Sequence, residues 1–167
     1  MLINKKPLHP NFGVIIEDID LNQVSHNFLY KEIRELFENY SVILFKNQKI
    51  SDDTHINFAK LFGQLENREA MATNSDVEFE LSLVTNQKED KSVYDEYDIK
   101  TLDLKANMLW HTDSTFLPIP ALANIITAKI IPTSGGQTEL ASTRVALKKL
   151  PKDLYYNIKD KKIWHNL

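Results

Sequence analysis

Residues 107–116 read Asn107-Met108-Leu109-Trp110-His111-Thr112-Asp113-Ser114-Thr115-Phe116, with polar side chains set in an apolar frame. The pattern predicts a strand over 108–116, and residues two apart on a strand share a face. His111 and Asp113 would then project side by side. An imidazole nitrogen and a carboxylate so placed can supply two adjacent ligands to a divalent metal, one arm of a two-histidine, one-carboxylate facial site. The tripeptide alone is weak evidence. With five histidines and 23 acidic residues in the chain, a chance His-x-Asp or His-x-Glu is expected somewhere. A single histidine is as readily a structural residue. None of His9, His26, His55 or His165 has an acid two positions later.

Downstream of this stretch, Ala121 to Ile131 predicts a long strand that stops at Pro132-Thr133-Ser134-Gly135-Gly136, a strong turn signal. Gln137-Thr138-Glu139-Leu140 predicts a returning strand. Ser142 can cap a helix carrying Val145, Leu147 and Leu150, and Pro151 opens a further helical piece. Upstream, Gly13 to Glu17 predicts a short strand. Ser25 is the expected N-cap of a helix with Leu29, Ile33, Leu36, Phe37 and Tyr40 at helical spacing. Ser41 to Phe45 is an apolar, β-branched run suited to a buried strand. The best-marked helix follows, with Ser51 as cap, Asp52 and Asp53 in the first turn, and Gly63 as terminator. Glu80 to Thr85 predicts a strand. The charged stretch from Asn86 to Lys105 predicts a solvated loop or a lid over a site.

The 167 residues are about the length of one domain. A hydrophobic share of 43% against 26% charged is ordinary for a globular chain and excludes disorder throughout. There is no cysteine, so disulfides and thiolate metal sites are excluded, and a reducing cytoplasm suits the composition. A net charge of −3 with only Arg34, Arg68 and Arg144 forms no basic stripe, which argues against nucleic acid as a partner. The longest uncharged stretch, Ser114 to Ala128, is too short to span a membrane and holds Pro118 and Pro120. No apolar run follows the N-terminal charges, so no signal peptide is expected.

The wider frame carries a resemblance. From Trp110-His111-Thr112-Asp113-Ser114-Thr115-Phe116, through Pro118, Pro120 and Ala128-Lys129-Ile130-Ile131-Pro132, to Gly135-Gly136-Gln137-Thr138-Glu139-Leu140-Ala141 and Leu150-Pro151, the chain resembles the TauD/TfdA family of Fe(II)- and 2-oxoglutarate-dependent dioxygenases. Tyr40-Ser41-Val42-Ile43-Leu44-Phe45-Lys46 and Phe58-Ala59-Lys60-Leu61-Phe62-Gly63 resemble it too. The resemblance implies an α+β fold, a double-stranded β-helix (a jelly roll, clavaminate synthase-like) with flanking helices, incomplete at the C-terminus. It implies that residues 1–167 are a single truncated domain of this kind. It also implies that His111 and Asp113 are Fe(II) ligands, that Thr138 binds 2-oxoglutarate, and that Asn107 faces the substrate. Arg68 falls near a substrate-contact region, with an exposed role expected instead. Arg144 is expected to have a surface or structural role and Trp110 to pack.

The family takes its second histidine ligand, and the arginine that holds 2-oxoglutarate, from a portion beyond residue 167; His165 lies too early for that role. The implied activity is hydroxylation of a small, anionic organic substrate with O2, coupled to decarboxylation of 2-oxoglutarate to succinate. The alternatives are a catalytically inactive remnant or binding module with a partial jelly-roll scaffold, and a ligand-binding jelly roll without iron. Unpaired strand edges would favour a homo-oligomer or a complementing C-terminal chain.

Overall fold

Three short strands and a helix between two of them organise the N-terminal half. A computed structural model describes residues 3–66, 81–115 and 117–162. Strand β1 (Lys5–Pro7) runs antiparallel to β2 (Val14–Ile16), with Lys5 opposite Ile16 and Pro7 opposite Val14. The loop between them turns at Gly13, where φ is +81° and an added Cβ would lie 3.1 Å from Leu8 Cδ2, so only glycine fits without strain. Strand β3 (Ile43–Phe45) lies parallel to β2 on its other side, Val14 opposite Ile43 and Ile16 opposite Phe45. A parallel pair needs a crossover, and helix α1 (Tyr30–Tyr40) lies within it.

Helix α2 (Asp52–Leu61) follows β3 and behaves as its sequence requires. The Ser51 hydroxyl accepts the Thr54 N–H at 3.1 Å, Asp52 and Asp53 occupy the first turn, and Gly63 leaves the helix at a φ of +138°. Ile16, Ile19, Leu21, Ile33, Leu36 and Phe58 form the buried core, which thus joins β2, α1 and α2. Phe58 meets Phe45 and Phe62 edge to face at 5.8 and 5.5 Å, and Phe62 meets Phe37 at 5.7 Å. Edge-to-face contact suits the aromatic quadrupole and adds to the area buried.

Helix α1 starts later than Ser25 predicts. Ser25 and Phe28 exchange two backbone hydrogen bonds of 3.0 Å in a tight turn, and Leu29 occupies the cap position in the left-handed region with φ +64°. Ser25 is spent on the turn, so its hydroxyl does not start the helix.

Beyond α2 several predicted strands are not strands. Residues 81–85 make no ladder, and Leu83 and Val84 are nearly fully exposed; Glu80 lies outside the described residues. The charged stretch contains helix α3 (Ile99–Ala106), started by the Asp98 carboxylate accepting the Lys100 N–H at 2.9 Å. Residues 108–115 leave α3 as bends and turns, and Phe116 lies outside the described residues. Segment 121–131 is extended with period-2 burial: Ala123, Ile125 and Thr127 are half-buried while Leu122, Asn124, Ile126 and Ala128 are exposed. No strand pairs with it, nor with 137–140, among the described residues. A ladder needs a neighbour to exchange hydrogen bonds with, and periodicity alone does not supply one.

Gly135 and Gly136 turn the chain at φ +74° and +69°. Helix α4 (Thr143–Lys149) is capped by Ser142, whose hydroxyl accepts the Val145 N–H at 3.3 Å, and Pro151 precedes α5 (Lys152–Ile158). The chain divides into two compact units, one of residues Met1–Phe62 with Ile125–Leu167 and one of Gly63–Asn124. Among the described residues no helix is long and apolar enough to cross a membrane.

Candidate metal centre

The site lies in the second unit, where the chain leaves α3. Asn107 ends that helix, its N–H still bonded to Asp103 O at 3.1 Å. Two further N–H groups, of Met108 and Leu109, bond back to Lys105 O and Ala106 O at 3.2 Å, which curls the chain tightly. His111 follows that curl and Asp113 opens the next turn, so they share no strand face, yet His111 Nε2 stands 3.1 Å from Asp113 Oδ1.

The hydrogen bonds around this pair fix its chemistry. His111 Nδ1 donates to the Leu109 carbonyl at 2.6 Å, since a carbonyl can only accept. In a neutral ring Nε2 is then unprotonated, and its lone pair faces a carboxylate oxygen. Two acceptors at that distance need a cation or a proton between them. Metal–ligand bonds of about 2.1 Å set at right angles would place the two donor atoms about 3 Å apart. The pair fits a divalent metal in donor type and in spacing.

The other Asp113 oxygen, Oδ2, accepts from Asn124 Nδ2 at 2.5 Å. Next in the chain, Ser114 is buried, takes a φ of +60°, and donates its hydroxyl to the Glu66 carboxylate. The Leu117 N–H closes the turn onto Ser114 O at 3.0 Å. Both side chains remain about half exposed and open to solvent. Among the described residues no group of three His, Asp or Glu side chains gathers to hold a metal, so a third ligand is not found there.

The remaining sequence-selected residues are scattered. Asn107 is exposed and shares the unit of His111 and Asp113. Thr138 is exposed, follows the two-glycine turn, and belongs to the other unit. Arg68 and His165 lie outside the described residues. Arg144 is exposed and donates to the Glu38 carbonyl at 2.5 Å, at the C-terminal end of α1. Trp110, expected to pack, is instead 70% exposed.

Sequence reasoning missed Asn124, Glu66 and the Leu109 carbonyl, and it quoted Ser114 within the motif without giving it a role. It also missed the work of His55. That ring is buried, with Nε2 at 3.0 Å from Ile125 O and Nδ1 at 3.3 Å from Thr127 Oγ1, and so ties α2 to the extended segment. Lys129 adds a 2.5 Å ion pair to Asp52 at the start of α2. The Lys129 ammonium, by hydrogen bond first and charge second, holds the Asp52 carboxyl below the usual carboxylate range.

Comparison with known proteins gives a consistent result. The profile described as "Taurine catabolism dioxygenase TauD, TfdA family" matches residues 4–167. The chain is 35% identical over 157 residues to the alpha-ketoglutarate-dependent 2,4-dichlorophenoxyacetate dioxygenase of Cupriavidus pinatubonensis, covering 92% of this chain and 55% of that protein. It is 29% identical over 163 residues to the (S)-phenoxypropionate/alpha-ketoglutarate-dioxygenase of Sphingobium herbicidovorans, covering 96% of this chain and 52% of that one. Among solved structures, AAD-2 in complex with Mn(II) and N-oxalylglycine matches with a TM-score of 0.80 and 27% identity, over 96% of this chain and 57% of that one. The chain spans about half the length of the curated relatives it matches.

Proposed function

We propose a function from one premise: the chain belongs to the TauD/TfdA family. It contributes the His111–Asp113 arm of the Fe(II) site of a 2-oxoglutarate-dependent dioxygenase that hydroxylates a small organic anion. The observation that carries this is the 3.1 Å approach of His111 Nε2 to Asp113 Oδ1, with His111 Nδ1 committed to the Leu109 carbonyl. Bound Fe(II) with 2-oxoglutarate would supply the oxidation, in which O2 is consumed, a substrate C–H becomes C–OH, and 2-oxoglutarate leaves as succinate and CO2.

The chain's own residues bind and orient. His111 and Asp113 would hold the metal. The Thr138 hydroxyl donates to the distal carboxylate of 2-oxoglutarate, and Asn107 faces the substrate. Two of the relatives act, by their names, on 2,4-dichlorophenoxyacetate and on (S)-phenoxypropionate. Aryloxyalkanoate anions are accordingly the substrate class to test first. The third ligand and the arginine for 2-oxoglutarate are not among the residues assigned here.

For the fold, a double-stranded β-helix with flanking helices is supported by family membership and by the period-2 burial of 121–131. Residues 1–167 then form part of one such domain. The exposed Ile126, Ile130 and Ile131 are suited to cover by a complementing chain or a second copy. The absence of cysteine suits the reducing cytoplasm, where we place the reaction.

A binding module without chemistry is the alternative, favoured by the lack of a three-member ligand group among the described residues. Anaerobic titration with Fe(II) and 2-oxoglutarate separates the two. A visible charge-transfer band that His111→Ala abolishes supports the metal arm. A band that survives the substitution refutes the ligand assignment, and no band in the wild-type chain leaves the binding module.

A further inference from the structure

We propose that Asn124 is the positioning residue of the carboxylate ligand, the group that decides which oxygen Asp113 offers to the metal. The inference rests on the metal-arm assignment above. Asp113 has two oxygens, and the turn assigns each a different task. Oδ1 stands 3.1 Å from His111 Nε2, on the metal side of the pair. Oδ2 is taken by Asn124 Nδ2 at 2.5 Å. The direction of that bond is fixed, because an ionised carboxylate only accepts and the amide must therefore turn its NH2 toward it.

The need for such a partner follows from the side chain. The terminal torsion of an aspartate is broad and nearly two-fold, so an unheld carboxylate presents either oxygen, or both. A facial site has use for only one. A chelating carboxylate would occupy a position that the co-substrate or O2 requires. By occupying Oδ2, Asn124 confines the metal to Oδ1 and lowers the freedom lost on binding. The Leu109 carbonyl does the same for His111 from the other side, so each ligand is held by one neighbour through the atom that the metal does not use. The ligands lie at 111 and 113, and the orienting amide arrives from the extended segment, eleven residues further on.

Mn(II) titration of the full 167-residue chain, followed by paramagnetic broadening of the histidine ring signals in NMR, provides the test. Five histidines give five reporters, and only His111 should broaden selectively. Asn124→Ala should weaken Mn(II) binding about 10–100-fold while leaving the metal-free thermal midpoint unchanged, and Asn124→Gln, which keeps the amide donor, should recover most of the affinity. Unchanged affinity in Asn124→Ala, or equal loss in Asn124→Ala and Asn124→Gln, would overturn the positioning role while the metal arm stands. His111→Ala is the control for the arm itself. If that variant binds Mn(II) like the wild type, or if the wild type does not broaden at His111, both assignments fall.

Discussion

Val14-Ile15-Ile16 and Ile125-Ile126-Thr127 are nearly the same kind of sequence, and the molecule treats them differently. The first is a central strand with neighbours on both edges, and its Ile16 is wholly buried. The second is extended with one half-buried face, and Ile126 on the other face is 74% exposed. Both runs carry the β-branched content of a strand. What differs is whether another strand lies within hydrogen-bonding reach. In the N-terminal half, α1 crosses over and returns the chain beside β2. Around 125–131 the holding groups are side chains of α2, namely His55 and Asp52.

The largest effect that would break this contrast is in the core. Phe58→Ala should destabilise the chain by about 3–5 kcal/mol in urea unfolding, because it removes a ring packed among Phe45, Phe62 and the aliphatic cluster. Ile130→Ala, at a residue 74% exposed, should stay within about 0.5 kcal/mol. Comparable losses would mean that the extended segment is covered in solution.

His55→Leu tests the tie itself. It leaves the Ile125 carbonyl and the Thr127 hydroxyl without their partner, and unfolding should show a loss of about 1–3 kcal/mol. An unchanged midpoint would mean that Ile125 packing and the Lys129–Asp52 pair hold the segment without His55.

The smallest effect concerns pH. Asp52 is depressed by Lys129, so its contribution is present above the unfolded aspartate value and is lost as pH falls through the lower folded value. Carboxyl NMR should place the Asp52 midpoint below the ordinary aspartate range, and Lys129→Met should return it there. A midpoint already ordinary in the wild type would remove Lys129 from the set of ties.

The candidate site was legible in part, and for a partly different reason. Two apart in sequence, His111 and Asp113 were expected to share a strand face, where rise alone sets their Cα atoms about 6.7 Å apart. They meet instead between the curl that ends α3 and the turn that starts at Ser114. The residue types pointed to the chemistry while the geometry came from elsewhere. Asn124 could not be found this way, since an asparagine in an apolar run signals nothing until Asp113 is seen beside it. His55 has the same difficulty in reverse. A histidine on a helix could be a ligand, and only its contacts to Ile125 and Thr127 make it structural.

By itself the sequence determined what lies within about one turn of chain. The caps at Ser51 and Ser142, the helices they start, the glycine turns and the family all follow from it, whereas the Asp98 cap and α3 emerged from a stretch expected to be a loop. The tertiary structure decided which extended runs became strands, which side chain orients Asp113 and which histidine is buried. Caps are hydrogen bonds between residues two or three apart, so local identity suffices for them. Ladders and contacts such as His55 to Ile125 join residues far apart in sequence, and they exist only once the chain has closed a loop to bring them together.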